Sequence, residues 1–287
     1  MSWALIADSS CNLKCYEPQS MDASFGIAPL KINVASTEYV DDDALNVNML
    51  IEHMTAESAG SSTACPSVGE WSELMRSADN VIVVPISSGL SGSLEAAQTA
   101  RDLVLQEDRN RNIHIIDSRA AGGKLELLVY KIDRYLTEHP DTTFDEVCAF
   151  ADDVEDHAQV LYSLSTFDNL TKAGRLPKIA GAVVNKLNIR ILGTATAQGT
   201  MKIVGPTRGE KKMYKKIVET MDAHGFHGGD VFIDYVLNEQ GARLLAGKIA
   251  ERWPESKFHI MPCRGLCSFY AEVGGLIIGY ECSHPWE

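Results

Sequence analysis

The stretch VIVVPISSGLSGSLEAAQTARDLVLQ, Val81–Gln106, decides how the rest of the chain reads. Val81 to Ile86 is an unbroken, β-branched apolar run, the pattern of a strand buried on both faces. From Leu94 onward, Leu94, Ala97, Ala100, Leu103 and Val104 recur at helical spacing. Ser91 or Ser93 is placed to cap that helix, and Glu95 in its first turn complements the helix dipole. Strand, small-residue loop and helix start together aim N–H groups and hydroxyls at an anion. The loop lacks the Gly-Lys-Ser/Thr of a phosphate cradle, and Ser93 stands where a nucleophile elbow needs glycine. A weakly charged, hydrogen-bonded anion such as a carboxylate fits the residues. A well-capped helix without any ligand fits them equally.

The whole chain has 287 residues, room for two ordinary domains. Its 45% hydrophobic content is that of a globular protein. The net charge of −13 argues against nucleic acid or an anionic membrane as the main partner. Lys211, Lys212, Lys215 and Lys216 form a local basic patch, most simply the solvated face of a helix. The apolar start, Trp3 to Ala7, is too short for a secretory signal and lacks a basic lead. No window approaches the ~20 apolar residues of a membrane span. Seven cysteines, an odd number, point to reduced thiols and a cytoplasmic location. Cys11 with Cys15 and Cys263 with Cys267 are pairs four apart that could form a zinc site if the fold joined them. Buried or loop thiols are the plainer reading, so no metal and no cofactor is expected.

Residues 1–155 alternate strand and helix. Strands are expected at Trp3 to Ala7, Gly26 to Val34, Val81 to Ile86 and Ile113 to Ile116. Helices are expected from Asp41–Asp43 to Ala56, after the loop SSTACPSVGEW with Pro66 at an early helical position, from Leu94, from Gly123 to Leu136 and from Phe144 to Val154. That describes a short parallel sheet in a three-layer α/β domain, with its ligand loops beyond the strands' carboxyl ends. DSSCNL, ISSGLSGS and DSRAAGGK share that address. Residues 156–287 read as a second α/β domain, a two-layer mixed sheet with helices. It has strands at Gln159 to Leu164, Asn188 to Leu192, Val231 to Leu237, Phe258 to Pro262 and Val273 to Tyr280. A helical turn at Phe167 to Lys172 and helices at Ile179 to Lys186, Lys211 to His224 and Gln240 to Trp253 complete it, with a hairpin turning at Gln198-Gly199.

Several of these stretches, in order, resemble the bacterial DegV-type fatty-acid-binding proteins. They are DSSCNL (Asp8 to Leu13), STACPS (Ser62 to Ser67), ISSGLSGSLEAA (Ile86 to Ala97), IDS (Ile116 to Ser118), LSTFDNLTKAGRLPKIAG (Leu164 to Gly181) and NIRIL (Asn188 to Leu192). The resemblance covers nearly the full chain. It implies a long-chain fatty acid between two domains, carboxylate near their junction and acyl chain in an apolar tunnel. It also implies a non-catalytic carrier that presents the acid to a fatty-acid kinase in phospholipid metabolism. Transient membrane contact stays open. By the same resemblance Thr63, Ser91 and Ser93 are hydroxyl donors to the carboxylate, and Arg175 is a fixed positive charge beside it. Arg208 and the lysines after it resemble a docking surface for the kinase.

The chain departs from the family in two places. Where the family often has Ala-His-Thr-Gly-Pro-Gly, this chain reads PCRGLC: Cys263 replaces the histidine, Arg264 the threonine and Cys267 the last glycine. Gly122 stands where serine is usual, and Lys124 and Glu126 where glycines are usual. Cys263 and Arg264 are therefore expected at the ligand. The apolar residues Ile179, Val183, Val184, Leu187, Ile189 and Ile191 are tunnel-wall candidates, although ordinary core accounts for most such residues. A rival reading is a serine-dependent hydrolase or acyltransferase using Ser91 or Ser93, with His114 as the one histidine close in sequence.

Overall fold

Both faces of the sheet formed by Trp3–Asp8 (β1) and Asn80–Val84 (β6) are covered, so every residue of the two strands is buried. The computed structural model describes residues 2–57, 61–176 and 189–283. Ala23–Ala28 (β2) and Asn112–Ile115 (β7) flank the pair, giving a parallel sheet of order β2-β1-β6-β7. Side-chain alternation decides what each face meets. Ala4, Ile6, Val81 and Val83 pack with residues of Val68–Met75 (α2) and Ser93–Glu107 (α3). Leu5, Ala7, Ile82 and Val84 pack with Leu125, Leu128, Val129 and Ile132 of Gly123–Glu138 (α4).

The second large sheet is mixed, in the order β10-β9-β8-β13-β11-β12. Its strands are Ala158–Leu164 (β8), Ile189–Ala195 (β9), Met201–Arg208 (β10), Asp230–Tyr235 (β11), Lys257–Pro262 (β12) and Leu276–Glu281 (β13). Only β11 and β12 run parallel; the other neighbours are antiparallel. Leu161, Ile233 and Ile278 meet the amphipathic helices Glu210–Ala223 (α7) and Glu239–Ala250 (α8) on one face. Val160, Tyr162 and Ile277 share the cluster of α4 on the other. α4 therefore lies between the two sheets, although by sequence it belongs to the first half. Its approach to β13 is close: a Cβ on Gly123 would stand 2.4 Å from the Gly279 nitrogen.

Several elements differ from the sequence reading. Gly26 to Val34 is not one extended segment, because β2 pairs with β1 while Lys31–Val34 (β3) enters a separate three-stranded antiparallel sheet, order β4-β3-β5, with Thr37–Val40 (β4). SSTA, read as loop, is the strand Ser61–Ala64 (β5); its small polar residues carry no alternation signal, and pairing with β3 alone makes them a strand. The following helix, α2, opens at Ser67 with a capping box to Glu70, so Pro66 lies ahead of it. The helix after Asp41–Asp43 begins only at Val47–Ala56 (α1), capped by Asn46. Asp41 is instead buried and accepts the N–H groups of Gly265 and Leu266, each at 2.8 Å. Those residues open a short helix, Gly265–Ala271 (α9), that the glycine and cysteines of PCRGLC concealed. The expected helix Ile179 to Lys186 lies outside the described residues. Phe144–Asp156 (α5) and Asp168–Lys172 (α6) stand where the sequence put them.

Candidate functional site

The site is organised by a buried acid. Asp8, at the end of β1, accepts four hydrogen bonds: from the Ser10 N–H (3.1 Å) and hydroxyl (2.6 Å), the Ile86 N–H (2.9 Å) and the Ser93 hydroxyl (2.6 Å). Burial pushes its carboxyl above the usual range, and these donors act against that shift. Asp8 thus ties the end of β1 to the loop after β6 and to the first residue of α3. Most hydroxyls of that loop are committed to the protein itself. Ser87 donates to the Gly199 carbonyl at 2.7 Å, which fastens the loop to the β9–β10 turn. Ser88 donates to Asp117, its N–H at 3.1 Å and its hydroxyl by a second, shorter bond. Ser93 is fully buried on Asp8 rather than capping α3, whose N-cap is Gly92 without a side-chain bond. In the sequence Asp8 was legible only as the first residue of the DSSCNL loop, with no role of its own assigned.

A cleft opens between this loop, β5, α9 and the second sheet, with about 620 Å³ of space outside atoms, its mouth included. Its polar groups are few: Thr63, Ser91, Tyr162, Arg175, Tyr270 and the Cys267 thiol. Elsewhere the wall is aliphatic, with Leu30, Ile86 and Leu90 from the first half facing Leu164, Leu170 and Ile277 from the second. Thr63 Oγ1 and Tyr270 Oη are hydrogen-bonded at 2.8 Å. Arg175 is held by two carbonyls, Nε donating to Leu90 (3.1 Å) and Nη1 to Ala173 (2.6 Å), which leaves Nη2 without a partner among the described residues. Ser91 Oγ accepts the Ser93 N–H at 3.3 Å. Gly122 has φ +69°, and a Cβ there would meet Ile277 Cγ2 at 2.7 Å. A side chain at this position would press on that isoleucine.

The structure brings together Thr63, Ser91 and Arg175 of the residues singled out from sequence. It places the others elsewhere. Cys263 and Arg264 line a different surface groove with Asn12, Leu45 and Leu237. The Arg264 guanidinium turns to the acids that follow β4, Nη1 to Asp43 at 2.6 Å and Nη2 to the Asp41 carbonyl at 3.1 Å. Its charge is spent on them, not on the cleft. Arg208 is exposed at the end of β10, with Lys211, Lys212 and Lys215 exposed on α7. Ile179, Val183, Val184 and Leu187 lie outside the described residues, while Ile191 is core and neither it nor Ile189 lines the cleft. Sequence reasoning missed Tyr270 and Tyr162. Once α9 is known, Leu266, Cys267, Tyr270 and Ala271 fall at the i, i+1, i+4, i+5 spacing of one helix face.

Two positions of α4, Lys124 and Glu126, carry buried charged side chains. Lys124 donates to Glu155 at 2.6 Å, and Glu155 also pairs with Arg119; burial draws the lysine down to about 8. Glu126 accepts the Asn12 N–H and faces Asp234 of β11, which accepts Asn12 Nδ2 at 2.8 Å. Burial drives both carboxyls upward, Asp234 to about 7, and the charge of Asp234 adds to the shift of Glu126.

The rival readings lose their geometry. His114 Nε2 is bonded to Asp152 at 2.7 Å, and among the described residues no histidine partners Ser91 or Ser93. Among the described residues no group of three or more His, Cys, Asp or Glu side chains is placed to hold a metal ion. Cys11, Cys263 and Cys267 are buried in one apolar cluster, while Cys15 is exposed. Burial pushes these three buried thiols up.

A family profile described as "uncharacterised protein, DegV family" matches residues 2–281. A DegV domain-containing protein of Streptococcus gordonii is 37% identical over 281 residues, 98% of this chain and 99% of the relative. Among solved structures, the Streptococcus pneumoniae Fatty Acid Kinase (Fak) B3 protein, crystallised with linoleic acid, superposes with a TM-score of 0.95 at 37% identity, covering 99% of this chain and 100% of that one. A DegV family protein from Eubacterium eligens loaded with heptadecanoic acid gives 0.93 at 29% identity, covering 98% and 100%.

Proposed function

The chain belongs to the DegV family, and we propose that it is a non-catalytic carrier of a long-chain fatty acid that presents the carboxyl group to a fatty-acid kinase. One observation carries the reading: a cleft between the two sheets whose few polar groups, Thr63, Ser91, Arg175 and Tyr270 among them, accompany a mostly aliphatic wall. Hydroxyls and one clamped guanidinium suit a carboxylate. The kinship with proteins crystallised with linoleic and heptadecanoic acids, one named for a fatty-acid kinase, supports both ligand and partner. Arg208 and the exposed lysines of α7 form the docking surface in this reading. Seven cysteines, none of them in a disulfide, fit a reducing, cytoplasmic setting. No helix among the described residues is long and apolar enough to cross a membrane, so membrane contact in this reading is transient.

The tail supplies the affinity and the polar groups supply orientation. Each buried methylene contributes about 0.8 kcal/mol, so an enclosed long chain contributes on the order of 10 kcal/mol before binding costs. A charge-assisted hydrogen bond contributes roughly 1.5 to 3 kcal/mol. Native mass spectrometry of the protein expressed in bacteria tests the proposal. A co-purified C14 to C18 acid is the expected result, and its absence after gentle purification overturns the reading. Filling the cleft gives a second test. Ala121 lines it and is only half-buried, so Ala121→Phe displaces about four methylenes and weakens binding of a C18 acid about 100-fold. Titration calorimetry reads the loss, and a C10 acid shows a smaller one.

A further inference from the structure

Resting on the carrier reading, we infer that Tyr270 is the specificity-determining proton donor to the ligand's carboxylate, with Thr63 acting through it. Thr63 was the expected donor, yet its hydroxyl is engaged by Tyr270 at 2.8 Å, and both oxygens belong to the cleft wall. Two hydroxyls bonded to each other use one proton between them and leave the second free. A phenol is a far stronger acid than an aliphatic alcohol, so the arrangement that best serves an anion has Thr63 donating to Tyr270 and Tyr270 donating to the carboxylate. Each bond polarises the next. Packing holds the ring in place for this role. It meets Phe269 edge-on at 4.8 Å and packs with Leu30, Ile86 and Leu266 under the loop after β6. The other phenol of the cleft, Tyr162, accepts the Ala121 N–H at 3.2 Å and has no hydroxyl partner among the described residues. Arg264 is drawn off by Asp41 and Asp43, so it does not compete for the role.

This arrangement selects for ligand class. A carboxylate accepts from Tyr270, Ser91 and Arg175 together, whereas a fatty alcohol of the same length gains little from a donor it does not need. Calorimetric titration of delipidated protein with oleic acid and with oleyl alcohol separates the two. Tyr270→Phe is expected to weaken oleic acid binding by about tenfold to a hundredfold, the range for a hydrogen bond to a charged group, while oleyl alcohol changes less than about twofold. Thr63→Val, which removes only the outer bond of the chain, is expected to cost oleic acid binding less than Tyr270→Phe does, about fivefold; if Tyr270→Phe fails to fold, a loss of about a hundredfold in Thr63→Val overturns the inference by itself. Unchanged oleic acid binding in Tyr270→Phe, equal losses for acid and alcohol, or a larger loss in Thr63→Val than in Tyr270→Phe overturns the inference and leaves the carrier reading standing. Failure of the unaltered protein to bind oleic acid overturns the carrier reading itself, and the inference with it.

Discussion

Replacing Asp8 by alanine lowers stability by about 2 to 6 kcal/mol, the range for two buried N–H groups that lose their acceptor. The magnitude follows from what is left behind. Two N–H groups and two hydroxyls lose their acceptor at once, in a place that water does not reach, and each unsatisfied buried group costs roughly 1 to 3 kcal/mol. The hydroxyls of Ser10 and Ser93 rotate to find substitutes; the N–H groups of Ser10 and Ile86 have no such freedom. Ile86 lines the cleft and Ser93 opens α3, so the loop carrying Ser91 loses its anchor and ligand affinity falls with stability. Urea unfolding at neutral pH reads the first effect and oleic acid titration the second. A stability loss below about 1 kcal/mol would mean that Asp8 does not organise the site.

Asp8 also marks where the sequence stopped being legible. The strands and helices that bury one face each were readable, because apolar spacing reports burial directly: β1, β6, α3, α4, α7 and the β9–β10 hairpin stand close to where periodicity put them. β5 and α9 were not, since SSTA and GLCSFYA take their structure from partners distant in the chain, β3 in one case and the Asp41 carboxylate in the other. The same limit divides the site. Thr63, Ser91 and Arg175 were found through motifs, and all three line the cleft. Ser93 sits in the same motif but turns inward, because a buried acid 85 residues away claims its hydroxyl. Arg264 was expected to stand in for a missing donor; two aspartates decide otherwise. A motif places a residue in a loop, while the side chain's direction is settled by charges and acceptors that local sequence does not display.

Glu126 is the extreme case, since its departure from glycine was visible and its partner, Asp234 on β11, was not. Their joint burial makes stability fall as pH rises. In the unfolded chain both carboxyls ionise near pH 4. In the folded protein burial lifts Glu126 well above that range and Asp234 to about 7, with Asp234 adding its charge to Glu126's shift. Between those limits the folded state holds protons that the unfolded state has released, so the pair's contribution is complete below about pH 4 and is lost as pH rises through the folded values. One such proton changes stability by about 1.4 kcal/mol per pH unit, or roughly 3 kcal/mol from pH 6 to pH 8. Glutamine at 126 keeps the bonds without the proton: its amide oxygen accepts the Asn12 N–H and its NH₂ donates to Asp234. Glu126→Gln is therefore expected to be more stable than the unaltered protein at pH 8, with the gap narrowing toward pH 6 as the unaltered protein regains the stability carried by the Glu126 proton. Urea unfolding of both proteins at pH 6, 7 and 8 reads the difference, and parallel stability curves across that range would show that the two carboxyls do not share a proton. A net gain also fits the two buried oxygens Glu126 Oε2 and Asp234 Oδ1, which have no hydrogen-bond partner among the described residues. The pair joins the loop after β1, the helix between the sheets and a central strand of the second sheet, so its protonation weighs on the contact between the two halves that enclose the cleft.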